Sequence, residues 1–186
     1  AYPTHKTPMA VVPGARELKD GEQELVVRFE SPDLGGVKLV KTWTLKRGAY
    51  DIAVRHEVVN TGTAPCRRSC TCSWCATATS PPVNIAFNLR LANVGKAEID
   101  KSSSDGYVAM VQHYFASAWL LADGVARDLF VRKVDNNLFA MGMITQLGEI
   151  APGQSKSLDA RLFAGPQIET LLEKLAPGLE LVKDYG

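Results

Sequence analysis

Outside one window of ten residues this 186-residue sequence has no cysteine: Cys66, Cys70, Cys72 and Cys75 are the full complement. A disulfide framework distributed over the fold is therefore excluded. Histidine is nearly as scarce, with only His5, His56 and His113. Nucleophilic catalysis needs a base beside a Ser or Cys, and these three positions offer little support for one. His5 lies in a proline-containing lead-in, His56 on the apolar phase of a strand, and His113 inside an apolar run. Each reads as a packing or surface residue. No G-x-S-x-G, H-E-x-x-H or P-loop is present, and no carboxylate spacing suggests glycosidase chemistry. An enzyme is not expected, nor is a cofactor.

An excess of one charge is also missing. Lys plus Arg total 21 against 20 Asp plus Glu, a net charge of +1. A duplex nucleic-acid binder gathers a basic surplus on one face, so no nucleic-acid partner is expected. The longest apolar stretch, from Val108–Met110 to Ala116–Ala122, is broken by Gln112 and His113. It falls short of the roughly 20 residues of a membrane span. The first residue is Ala1 and no basic-then-apolar leader follows it. The expectation is a piece of a longer chain, with targeting information outside it.

What the sequence does have is 46% hydrophobic and 22% charged residues, the balance of a folded domain. Residues 24–30 (ELVVRFE) form a short β-branched run. Over 37–46, Val37, Leu39, Trp43 and Leu45 alternate with Lys38, Thr42, Thr44 and Lys46, the period of a half-buried strand. Arg47-Gly48-Ala49 supplies a turn. Residues 50–60 alternate again, with Tyr50, Ile52, Val54 and Val58 opposite Arg55 and Glu57. The pair predicts a hairpin, ended by Asn60-Thr61-Gly62.

Residues 64–96 fit no period. The run GYVAMVQHYFASAWL from Gly106 reads as two strands or one buried helix, and the surrounding strands favour the first reading. Strands are expected over 128–134, 138–147 and, after the turn Ala151-Pro152-Gly153-Gln154, over 156–163. A helix follows, with Pro166 suited to its first position. Ile168, Leu171, Leu172 and Leu175 recur at i, i+3, i+4 and i+7 and should dock it on the sheet. Pro177-Gly178 stops it, and LELVKDYG could make one more amphipathic turn. Strands between Gly/Pro turns and one terminal helix predict an antiparallel sandwich in a single domain, 1–186.

The cysteines allow three readings. C-x3-C-x-C-x2-C could give four thiolates to zinc through Cys66, Cys70, Cys72 and Cys75, although usual sites separate two C-x2-C knuckles by a longer loop. Local disulfides are a second reading, for an extracellular segment. The third concerns the gene: CRRSCTCSWCATATS is what GC-rich codons give when read out of frame. Back-translation with GC-favouring codons and a one-base shift yields LPPQLYLQLVRDGNKP, an alternating strand and a polar turn. Part of residues 64–96 is thus expected to be a frame-shifted reading, ahead of a metal site.

Three segments together resemble one family. VKLVKTWTLKRGAYDIAVRHEVVNTG (37–62), GYVAMVQHYFASAWL (106–120) and LFAGPQIETLLEKLAPGLELVKDYG (162–186) are similar, in order and spacing, to the large periplasmic domain of YidC-type bacterial membrane protein insertases. The resemblance implies an all-β, antiparallel β-supersandwich, galactose-mutarotase-like, with a C-terminal amphipathic helix. It implies a place on the periplasmic face of the inner membrane, contacts with the Sec translocon, notably SecD/SecF, and nascent inner-membrane proteins as clients of the whole protein. Membrane contact would come from flanking segments. Ile168, Leu171, Leu172 and Leu175 would dock the helix, and residues 165–186 would lead toward the membrane. Family domains carry further strands before the position of Ala1, so an N-terminally truncated sheet is expected. Residues 64–96 do not follow the family pattern. Sugar-binding or mutarotase-like and metal-binding modules are the alternatives.

Overall fold

The computed structural model describes residues 2–4, 6–77, 84–87, 90–93, 99–112, 114–136 and 138–182, with backbone alone between Trp74 and Asp100. It divides into two compact units, Ala1–Cys70 with Gln146–Ala160 and Thr71–Thr145 with Arg161–Gly186.

The first unit holds β1 (Ala10–Val11), β2 (Glu24–Glu30), β3 (Val37–Lys46) and β4 (Asp51–Asn60). It also takes the start of β5 (Cys66–Thr77), the end of β12 (Leu138–Ile150) and the first half of β13 (Ser155–Pro166). Its strand order is β1-β2-β3-β4-β13. The alternation in the sequence becomes register: Trp43 pairs with Val54, Lys41 with His56 and Leu39 with Val58, so the apolar phases of β3 and β4 share one face. Val54, His56 and Val58 are buried there, whereas Tyr50 falls in the preceding turn and stays half exposed. Gly36 has φ 76, and a Cβ on it would sit 2.8 Å from the Gly62 Cα, so the chain crossing at this point requires glycine.

Asn60 closes this unit. Its buried amide donates to the carbonyls of Ala64 (2.8 Å) and Ile150 (2.9 Å), and its side-chain oxygen accepts from the Gly62 N–H (3.0 Å). The backbone of Asn60 also pairs with Gly153 and Gln154 in the turn before β13. A residue that reads in sequence as a strand terminator is thus also a buried polar hub. Beside it Val37, Val58 and Ile150 form a core cluster against which Leu39, Leu147 and Cys66 pack.

The second unit contains β6 (Asn84–Phe87), β7 (Arg90–Asn93), β8 (Ile99–Ser103), β9 (Tyr107–Val111), β10 (Phe115–Leu121) and β11 (Arg127–Asp135), with the remainder of β5, β12 and β13. One set of strands runs β13-β10-β9-β6-β7 and another β5-β12-β11-β8. The run from Gly106 is two strands paired antiparallel, Tyr107 opposite Leu120 and Val111 opposite Ala116. Strands also occur in 64–96, where no period was legible. In β5 the even positions turn inward: Cys70 and Cys72 are buried, while Ser69, Thr71 and Ser73 are exposed. A Cβ at Gly142 would lie 2.3 Å from the Cys72 carbonyl oxygen, so β12 admits only glycine beside β5.

The terminal helix is shorter than expected. β13 continues to Pro166, and α1 spans Glu169–Leu175, followed by a 3-10 turn at Leu179–Val182. Gln167 explains the delay: its N–H donates to the Tyr114 carbonyl (3.0 Å), which keeps the chain extended through Ile168.

Candidate functional site

The helix-bearing face of the second unit joins the most distinctive sequence segments. Tyr107, Ala109 and Val111 from β9 and Ala116, Ala118 and Leu120 from β10 form one apolar face, completed by Phe163 of β13. Leu172, Leu175 and Leu179 are buried on it, and Leu171 is partly buried against it. Alanines at three of the strand positions leave room for the helix to lie close to the sheet. Ile168 is placed differently from the expectation. It is the extended N-cap residue and is about half exposed, because the helical phase starts only after it. Two hydrogen bonds hold the far end of α1: Arg161 donates to the Leu175 carbonyl (2.8 Å) and the Tyr107 hydroxyl to the Gly178 carbonyl (2.9 Å). The first satisfies a carbonyl that the helix end leaves without a partner, and the second adds to the Leu181 N–H (3.2 Å) on the Gly178 carbonyl in the turn that follows.

Arg127 is a residue that sequence reasoning missed. It is buried, and its guanidinium donates to the carbonyls of Val125 (2.8 Å), Gly106 (2.7 Å), Leu121, Ser104 and Ala122. The planar fork of donors suits such convergence, and lysine could not reproduce it. Burial lowers its pKa from the ordinary value, and the charges of Asp123 and Asp105 oppose that shift. Arg127 therefore clamps the turn before β9 to the turn after β10. No sequence signal distinguishes it from any other strand-initial arginine. Against these turns lies a cavity of about 450 Å³, lined by Asp105, Tyr107, Leu120, Asp123, Arg161 and Leu175 among others.

In the first unit an apolar groove of about 410 Å³ runs over Met9, Val27, Phe29, Trp43 and Leu45, with Lys41 beside them. Glu30, on the opposite phase of β2, is bonded by Lys38 and by Arg28 (2.9 Å). The hydrogen bond from Lys38, then that from Arg28, lowers its pKa against some desolvation.

Of the four cysteines weighed as an alternative zinc set, Cys66, Cys70 and Cys72 have described side chains. Cys66 packs against the Val37–Val58–Ile150 cluster. The Cys70 thiol and the His56 imidazole, both buried, have ligand atoms within 4.8 Å of each other. Cys72 is buried on the same phase of β5, and the side chain of Cys75 lies outside the described residues. The lone histidine in this group is one that the sequence placed with the packing residues. His5 and His113 also lie outside the described residues.

Comparison with known proteins agrees with the sequence segments. A profile described as the YidC periplasmic domain matches residues 1–186, the segment 64–96 included. A protein named membrane protein insertase YidC from Burkholderia thailandensis is 41% identical over 203 residues, covering 100% of this chain and 36% of the relative. Those from Burkholderia cenocepacia and Cupriavidus taiwanensis are 43% and 42% identical, covering 94% and 99% of the chain and 35% and 36% of the relatives. The chain thus spans about a third of the length of these relatives. Among solved structures, the galactosidase domain of an α-galactosidase-sucrose kinase superposes with TM-score 0.62 at 11% identity, over 90% of this chain and 28% of that one. A galactose mutarotase-like protein from Lactobacillus casei gives 0.57 at 8%, over 84% and 72%. These likenesses establish an antiparallel, galactose-mutarotase-like β fold, as the sequence led one to expect.

Proposed function

The chain belongs to the YidC periplasmic domain family, and from that premise we propose that it supports insertion and folding of inner-membrane proteins without reaction chemistry of its own. It does so through contacts with Sec translocon subunits, SecD/SecF among them, and with the membrane-embedded part of the insertase. The observation that carries this reading is the fixed helix end. Leu172, Leu175 and Leu179 are buried on a sheet face, and Arg161 and Tyr107 hold the carbonyls that follow. A segment anchored this way transmits force and position between a rigid sheet and whatever follows it. The stripe Leu171, Leu172 and Leu175 holds the helix in place, with Ile168 left outside it.

A domain exchange tests the proposal. This chain replaces the matching third of the Burkholderia thailandensis insertase, with and without Leu172→Asp. The unsubstituted exchange should sustain insertion of a test membrane protein and co-purification with SecD/SecF, and Leu172→Asp should weaken both. Co-purification that survives complete deletion of the domain would overturn the proposal.

For residues 66–80 the proposed reading is a frame-shifted strand. The shifted string places leucine at positions 66, 70, 72 and 74 and glutamine at 69 and 73. That is the phase in which Cys70 and Cys72 are buried and Ser69 and Ser73 exposed. Its Asp-Gly-Asn falls at 77–79, where β5 ends. Resequencing codons 60–100 from an independent template should restore the leucines. A confirmed cysteine frame with near-stoichiometric zinc would overturn this reading.

A further inference from the structure

Two aromatic side chains stand in solvent at the turn joining β9 and β10: Tyr114 is 69% exposed and Phe115 58%. Ile168, 48% exposed, follows directly on Gln167, whose backbone N–H donates to the Tyr114 carbonyl (3.0 Å). The Gln167 side-chain amide also donates to the carbonyls of Gln112 and Phe115, and the Gln112 N–H closes the turn on the Phe115 carbonyl (2.9 Å). The tip is therefore braced from both sides of the hairpin. The exposed aromatics thus sit on backbone that Gln167 bonds at Gln112, Tyr114 and Phe115.

We propose that this tip, Tyr114 and Phe115 with Ile168, is an interfacial anchor that enters the lipid headgroup region of the membrane beside which the domain works. Three observations favour lipid over a protein partner. Tyrosine settles at a membrane–water interface, where its ring meets acyl chains and its hydroxyl meets headgroups, and phenylalanine and isoleucine supply the apolar side chains that enter the acyl boundary. The surface is small: with aromatic side chains of about 150–250 Å² each, the exposed parts of the three total roughly 350 Å². A stable protein interface needs about 800 Å² per partner. Lastly, residues 112–115, 167 and 168 include no Asp, Glu, Lys or Arg, their one histidine (His113) counts as neutral at pH 7, and the nearest helix residue, Glu169, is acidic. Attraction to anionic lipid is not part of the anchor, so its binding is apolar and indifferent to salt. Attached to an inner-membrane protein, the tip needs little affinity of its own, because tethering supplies a high effective concentration.

The inference rests on the family's membrane location, not on translocon contacts, so its test leaves SecD/SecF aside. The chain carries p-benzoylphenylalanine at position 115 or, as control, at position 26, where Val26 is 49% exposed in the first unit. It is tethered by a C-terminal histidine tag to vesicles of phosphatidylethanolamine and phosphatidylglycerol (3:1) doped with nickel-chelating lipid. After irradiation, intact-mass measurement should find lipid adducts at 115 at least fivefold more often than at 26. Tyr114→Ser with Ile168→Ser should lower the yield at 115 severalfold, and raising the salt should leave it unchanged. Equal yields at 115 and 26, or a yield abolished by salt, would overturn the proposal. So would adducts at 115 that, in native membranes, are to protein rather than lipid.

Discussion

Replacing Leu172 by alanine tests how the helix is held. The side chain is fully buried among Tyr107, Ala109, Val111, Leu120, Phe163 and Leu175 and their neighbours. Leucine-to-alanine changes in such sites cost about 2–5 kcal/mol. α1 has only seven residues, far fewer than the 12–15 an isolated helix needs even for marginal stability. The Arg161 and Tyr107 hydrogen bonds remain and contribute about 1 kcal/mol each. We therefore expect a local rather than global loss of about 3 kcal/mol, which raises the undocked population about 150-fold at 1.36 kcal/mol per tenfold. Limited trypsin digestion after the exposed Lys174 reads that population directly when closing outpaces cleavage. Ile168→Ala, at the half-exposed N-cap, should change the rate by no more than about fivefold, a cost of at most ~1 kcal/mol. Leu172→Asp, which would bury a carboxylate, should release the segment outright. A Leu172→Ala rate within twofold of the parent, or equal to that of Ile168→Ala, would refute the docking argument.

Asn60→Ala leaves the buried Ile150 carbonyl without its side-chain donor, while the Gly62 N–H keeps the Gly36 carbonyl (3.1 Å), and urea unfolding should show a loss of about 1–3 kcal/mol. Gly142→Ala forces a Cβ into the Cys72 carbonyl and should cost more than about 2 kcal/mol, read as a lowered melting temperature. The lowered pKa of Glu30 means that its bonds to Lys38 and Arg28 contribute fully above the ordinary value of 4.5. That contribution fades as pH falls through the lowered value. Glu30→Gln should therefore flatten a small part of the acid limb in melts between pH 3 and 6 and leave neutral stability nearly unchanged, since the pair is exposed.

β2 was legible as a β-branched run and the GYVAMVQHYFASAWL run as two strands from the strands around it, while period-2 alternation, a local property, was sufficient for β3 and β4. It even placed His56 on the inner face, because a strand's phase determines the side on which every residue falls. The spacing of Leu171, Leu172 and Leu175 likewise led to the proposed docking stripe, of which Leu172 and Leu175 are buried and Leu171 packs against the same cluster. β5 stayed illegible because Cys, Arg, Ser and Thr carry too little contrast to mark its inward positions, although the strand has them at Cys70 and Cys72. Ile168 was assigned to the stripe because periodicity has no knowledge of Gln167's bond to the hairpin, which delays the helix by three residues, from Pro166 to Glu169.

By itself the sequence determined the β architecture and the family, through patterns that neighbouring residues carry among themselves. Only the tertiary structure decided that Arg127 would gather five carbonyls, that Asn60 would join a strand end to a turn ninety residues away, and that Tyr114 and Phe115 would be braced into the open. Each depends on backbone groups brought together from distant segments. Such convergence leaves no mark on the spacing of residues along the chain.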